Sequence, residues 1–121
     1  MADAIDMEII QTEADAAIVA FLSPSMSDVD AISAASTKIK NYVKDYRPQA
    51  MIFDFEAVKF FSSLVLGLLL DARGKMSAYQ GEVLISGINP QLHRVFKITN
   101  LDKIFRFYPD RYKAVEAATS N

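Results

Sequence analysis

A chain of 121 residues that is 51% apolar fits one domain with one compact core. Its formal charge of −2, with lysines and arginines scattered along the chain, excludes a basic field for nucleic acid. The absence of cysteine excludes disulfides, thiol catalysis and the usual Cys/His zinc site, and leaves His93 as the one imidazole.

Met1 to Met7 carries two aspartates and no basic stretch, so a secretory signal is not expected. Met7 to Thr12 and Ala16 to Leu22 are short β-rich runs around Glu13-Ala14-Asp15, the pattern of a hairpin. Ser23 to Asp28 is a turn cluster that ends in N-cap residues. Val29, Ile32, Ala35 or Ser36, Ile39 and Val43 then recur at helical spacing, which predicts a helix from Val29 to Tyr46, stopped before Pro48. Ala50 to Phe55 is an apolar run suited to a central strand buried on both faces.

Val58 to Ser63 reads as a connection whose serines can cap the next helix, Leu64 to Tyr79. In that helix Leu66, Leu69, Leu70, Arg73 and Met76 fall in rows, and Gly81 is expected as its C′ residue. Its apolar run, Leu64 to Leu70, is far short of the ~20 residues needed to span a bilayer. Glu82 to Ser86 is another strand, Leu92, Val95 and Phe96 mark a short helix after Asn89-Pro90, and Ile104 to Phe107 is a short edge strand. Pro109-Asp110 opens a last helix through about Ala118. Strands alternating with helices predict a two- or three-layer α/β unit with no repeat, linker or low-complexity segment.

Three constellations carry chemistry. In Phe60-Phe61-Ser62-Ser63-Leu64-Val65-Leu66-Gly67, a serine at a helix start is either an ordinary cap, the commoner use, or a hydroxyl that can carry phosphate beside the positive end of the helix dipole. The G-x-S-x-G elbow of hydrolases is absent, and only His93 is available as a base. Asp28, Asp54 and Glu56 can form a carboxylate site for a divalent cation, or can be a helix cap and a solvated strand end, which is the simpler account. His93 reads as a surface residue, and Phe96, Phe105, Phe107, Tyr108 and Tyr112 read as core rather than as a stacking platform. The four glycines are too dispersed for a phosphate-cradling loop.

From Ala50 onward the order of features resembles a STAS domain of the anti-sigma factor antagonist family. An apolar strand ends in Asp54, and a loop leads to a serine at a helix start followed by Leu66-Gly67-Leu68. Gly81, Asn89-Pro90, Val95-Phe96, Thr99-Asn100-Leu101-Asp102, Ile104-Phe105 and Tyr108-Pro109 then follow in order. The family's helix begins Asp-Ser-Ser-Gly-Leu-Gly, with the first serine as phosphoacceptor. Aligning Leu66-Gly67 without a gap sets Ser63 on that serine, while Ser62, Leu64 and Val65 replace aspartate, serine and glycine. A one-residue shift would make Ser62 the acceptor.

The resemblance implies one STAS domain over residues 1–121, with its core at about 7–118. It implies a mixed sheet of four or five strands around Ala50–Phe55, with helices mainly on one face, and Phe53, Leu66, Leu69, Val83 and Phe96 in the core. It further implies a non-enzymatic, cytoplasmic, bacterial phosphoprotein that needs no metal or cofactor and engages neither nucleic acid nor membrane. Its partners would be an anti-sigma factor that is a GHKL-type serine kinase and a PP2C-type phosphatase. The partner-binding face would comprise Asp28, Asp54, Glu56, Ser62, Ser63 and Leu64. A scaffold in a stressosome-like assembly, without a switch and with self-association, is the alternative.

Overall fold

A computed structural model describes residues 5–12 and 14–119. Met1–Ala4 and the expected turn residue Glu13 lie outside the described residues. Strands β1 (Met7–Gln11) and β2 (Ala16–Phe21) form the expected antiparallel hairpin, with Ile9 opposite Val19. A two-residue strand, β3 (Ser25–Met26), leads to helix α1 (Val29–Tyr46). Asp28 caps that helix, its Oδ2 accepting from the Ala31 N–H at 2.8 Å.

Ala31, Ile32, Ala35, Ile39 and Val43 form the buried stripe of α1. Val29, the first residue of the helix, departs from it and is 62% exposed. Arg47, at φ 45°, closes α1 in the left-handed region, its N–H donating to the Val43 carbonyl.

Strand β4 (Ala50–Asp54) is buried at every position. It lies parallel to β2 on one side and to β6 (Glu82–Ser86) on the other, which places it in the middle of the sheet. After the two-residue β5 (Phe60–Phe61) comes α2 (Leu64–Ser77), whose buried residues are Val65, Leu66, Leu68, Leu69, Ala72 and Met76. Leu70 and Arg73 are exposed, so the apolar row runs one residue earlier than their spacing predicts. The helix also stops two residues before Tyr79, and Gln80 rather than Gly81 adopts the left-handed turn at φ 66°. Gly81 instead lies close to two side chains: a Cβ there would meet Met76 Cε at 2.9 Å and Tyr79 Cε2 at 3.0 Å, so the end of Met76 would have to move.

Helix α3 (Pro90–Ile98) is capped by Asn89, and a 3₁₀ turn at Leu101–Lys103 precedes β7 (Arg106–Tyr108) and α4 (Arg111–Thr119). Ile104, expected in the last strand, falls outside it and is exposed because the 3₁₀ turn takes up the chain there.

The sheet has five strands in the order β1-β2-β4-β6-β7, mixed because only β1 runs antiparallel. Alternation divides its side chains. Val19, Phe21, Met51, Phe53, Val83 and Ile85 share the main core with the apolar residues of α1, α2 and α3. Ile18, Ala50, Ile52 and Leu84 face the other way and pack with Ala114 of α4. Three helices thus cover one face and one covers the other. Phe53, Leu66, Leu69, Val83 and Phe96 are all buried, and Phe105 with them, whereas Tyr112 lies on the outer side of α4 and is exposed. Among the described residues no helix is long and apolar enough to cross a membrane.

Candidate functional site

Backbone pairing fixes the segment that carries the two serines. β5 lies parallel to β3, with Ser25 opposite Phe60 and Met26 opposite Phe61. The N–H groups of Lys59 and Phe60 both donate to the Pro24 carbonyl, and the Ser62 N–H donates to the Met26 carbonyl at 2.9 Å. Phe61 is driven into the core, where its ring meets Phe55 and Phe96 edge-on at 5.6 and 6.0 Å between centres. Two loops that sequence spacing reads as plain connections are therefore zipped together. Their pairing sets the starts of α1 and α2 side by side. Residues of two such short strands carry no periodicity, which is why the pairing is not visible in the sequence.

Ser63 immediately precedes the first residue of α2 and is exposed. The expectation that its hydroxyl caps the helix is not met: it makes no capping hydrogen bond. A capping side chain needs an extended backbone, whereas Ser63 is already helical at φ −60° and ψ −17°. The first turn is satisfied through carbonyls instead, Val65 N–H donating to Ser62 and Leu66 N–H to Ser63, both at 3.0 Å. The Ser63 hydroxyl is left free at the surface. That of Ser62 is buried without a hydrogen-bond partner among the described residues.

Around Ser63 the surface is apolar at its centre. Leu64 is 46% exposed and Phe60 53%. Val29, Leu64 and Gly67 all line a groove of about 300 Å³ between the two helices. A Cβ at Gly67 would touch nothing within 4 Å. Asp28 stands at the head of α1, and exposed Glu56 lies in the turn after β4 at the beginning of the Ser62–Ser63 connection.

Asp54 is elsewhere. Following the parity of Ala50 and Ile52, it points to the α4 side of the sheet and is 2% exposed, not at a solvated strand end. Its Oδ2 accepts from Arg111 Nε at 2.9 Å and lies 2.7 Å from Nη2 of the same guanidinium, so both nitrogens converge on one carboxylate oxygen. Its Oδ1 accepts from Ser86 Oγ at 3.1 Å and the Glu56 N–H at 3.3 Å. The carboxylate is thus consumed in holding α4, and it contributes no surface to the face around Ser63. Sequence reasoning missed Arg111, which is 57 residues away with no local signal. Among the described residues no group of three or more acidic or imidazole side chains gathers to hold a metal ion. His93 is half-buried, its ring 4.5 Å from that of Phe107 and not beside a serine.

The pinned carboxylate also sets the next turn. Gly87 has φ +67°, and a Cβ there would stand 2.8 Å from Asp54 Oδ1 and 3.0 Å from the Glu56 nitrogen. Gly87→Ala should lower the unfolding free energy by about 1–3 kcal/mol, read from urea melts, because backbone strain and collision add. A loss within about 0.5 kcal/mol, the range of ordinary surface changes, would show that the turn relaxes freely.

The fold is shared with known proteins. An anti-sigma factor antagonist from Mycobacterium paratuberculosis superposes with a TM-score of 0.81 at 26% identity, over 95% of this chain and 94% of that one. An anti-sigma-factor antagonist (STAS) domain protein from Planctomyces limnophilus gives 0.83 at 20% identity, over 97% and 99%. The Bacillus cell fate determinant SpoIIAA, in its phosphorylated form, gives 0.71 at 18% identity, over 93% and 98%. The sequence profile of the STAS domain matches residues 3–114, from the approach to β1 through the first turn of α4. By that match, and by the sheet that carries it, the chain belongs to the STAS-domain family.

Proposed function

We propose that this chain is a bacterial anti-sigma factor antagonist, a cytoplasmic and non-enzymatic protein whose binding face is switched off by phosphorylation of Ser63. The observation that carries the reading is the free, exposed Ser63 hydroxyl at the head of α2, against the buried hydroxyl of Ser62. The 26% identity to an anti-sigma factor antagonist supports the same class. Unphosphorylated, the chain offers Val29, Phe60 and Leu64 as an apolar centre for the anti-sigma factor, a GHKL-type serine kinase that brings its own ATP. Phosphate transfer adds about −1.5 to −2 charges beside Asp28 and Glu56. Desolvating that charge against a partner costs several kcal/mol unless a cation meets it, so the complex is released. A PP2C-type phosphatase restores the binding form. Asp54, neutralised by Arg111 beneath the sheet, acts on this face only by holding the fold.

The test is incubation with a serine kinase encoded near this gene, followed by intact-mass analysis. Wild type and Ser62→Ala should gain one phosphate and lose the partner. Ser63→Ala should stay unlabelled and bound, and because its hydroxyl caps nothing its stability should change by less than about 0.5 kcal/mol. Ser63→Asp should weaken partner binding, though less than phosphate, since it brings one charge. The second reading is a non-switching scaffold in a stressosome-like assembly, favoured by Ser62 standing where the antagonists' motif has aspartate. A wild-type chain that no such kinase labels, and that self-associates, would establish it in place of the switch.

A further inference from the structure

At the opposite end of the same two helices lies a concavity of a different character. It has a volume of about 470 Å³ and is lined by Lys40, Lys44 and Arg47 from α1 and its end, and by Lys75 and Tyr79 from α2 and its end. No carboxylate of the described residues lines it. A chain of net charge −2 thus concentrates four cations around one hollow.

Ordinary helix stability does not require this. Lys44 and Lys75 stand in the last turns of α1 and α2, where a cation complements the dipole. Two helix ends supply only about −0.5 charge each, however, so four cations leave the hollow at roughly +2 even when Asp71 at its rim is counted. Lys40 and Lys44 are also four residues apart on one helix face, where like charges repel. The single ion pair at the rim, Lys40 to Asp71, is long at 3.8 Å and exposed on both sides. Among the described residues Lys44, Arg47 and Lys75 make no salt bridge.

The remaining lining is suited to a ligand. Asn41 shares the α1 face with Lys40 and Lys44 and adds a neutral hydrogen-bonding group, while the Thr37 hydroxyl there donates to the Ser33 carbonyl. Arg47 lies over the Tyr79 ring, 4.6 Å from its centre, which holds the guanidinium at the wall without neutralising it. Tyr79 itself donates its hydroxyl to the Pro48 carbonyl at 2.8 Å. Burial pushes that phenol up from its ordinary value, against the opposing pull of Arg47, so it stays neutral.

We propose that this hollow binds a small ligand carrying two or more phosphate groups. Its volume is that of a metabolite site. Lysine ammoniums serve as point charges for phosphate oxygens, and the arginine fork can meet two of them at once. Lys75 stands about 18 Å along α2 from Ser63 at 1.5 Å per residue, while Thr37 and Lys40 also line the groove beside Leu64.

The test uses the full chain and tripolyphosphate as probe, followed by amide chemical shifts at constant ionic strength. Shifts are expected in Thr37–Arg47 and Lys75–Tyr79. The double variant Lys44→Gln, Lys75→Gln should bind at least tenfold more weakly. Lys97→Gln, which removes one charge from α3, should bind like wild type. Raising the salt concentration should weaken binding steeply. Absence of shifts at millimolar tripolyphosphate, shifts centred on α3, or equal affinity in the double variant would each overturn the proposal. So would saturable binding of a polyglutamate peptide while tripolyphosphate is inert, which would make the hollow a docking point for an acidic protein.

Discussion

Replacing Leu69 with alanine is expected to lower the free energy of unfolding by about 2–5 kcal/mol in urea melts, with the slope unchanged. Leu69 is fully buried in the middle of α2. Its helix is packed against α1 and against β6, so neighbours cannot readily close the void. A site that cannot collapse retains its cavity, and the loss should fall in the upper half of that range. Leu70→Ala is the natural control, because the next residue along is exposed and its truncation should cost within about 0.5 kcal/mol. Comparable losses for the two would mean that the apolar row of α2 has been phased wrongly.

The second large effect belongs to the pair beneath the sheet. Arg111→Ala leaves a buried carboxylate with only the Ser86 hydroxyl and one backbone N–H as donors. Breaking a buried pair from one side typically costs about 3–5 kcal/mol. Arg111 keeps a quarter of its side chain in solvent, so water partly replaces it and about 2–4 kcal/mol is expected. Adding Asp54→Asn removes the stranded charge while keeping its shape. The double variant should recover at least about 1 kcal/mol relative to Arg111→Ala alone, a coupling that a thermodynamic cycle isolates. If the two substitutions simply add, the pair is not what anchors α4.

The contrast between these residues explains how far the sequence could be read. Ala50–Asp54 shows itself because a strand covered on both faces must be apolar throughout, and α1 because Ile32, Ile39 and Val43 repeat at its period. The same logic misplaced Leu70 and Tyr112, which are apolar in type but fall on the outer faces of α2 and α4. Ser63 was legible as the residue at a helix start, yet its hydroxyl's freedom depends on two backbone angles that residue type does not encode. Asp54 was misjudged for a similar reason. Its position at the strand end is visible, but which face it takes is settled by register, and its arginine partner by a contact between residues 57 apart in the chain. The cationic hollow needed the parallel arrangement of α1 and α2, since the lysines of each helix look scattered when read singly.

The order of strands in the sheet has a kinetic consequence. Beginning from the β1–β2 hairpin, each later strand of the sheet is added beside the previous one, β4 on β2, β6 on β4 and β7 on β6. No strand must be inserted between two already paired, and no late segment returns to an early edge. Each step closes a loop of one helix and its turns, so the entropy of closure is met in small instalments rather than in one large one. The sheet can thus grow from one edge toward the other as chain becomes available, one face being covered as α1, α2 and α3 arrive and the face with Ile18, Ile52 and Leu84 waiting for α4. The parallel pairings remain non-local, so folding slower than that of a helical bundle is expected even with this orderly growth.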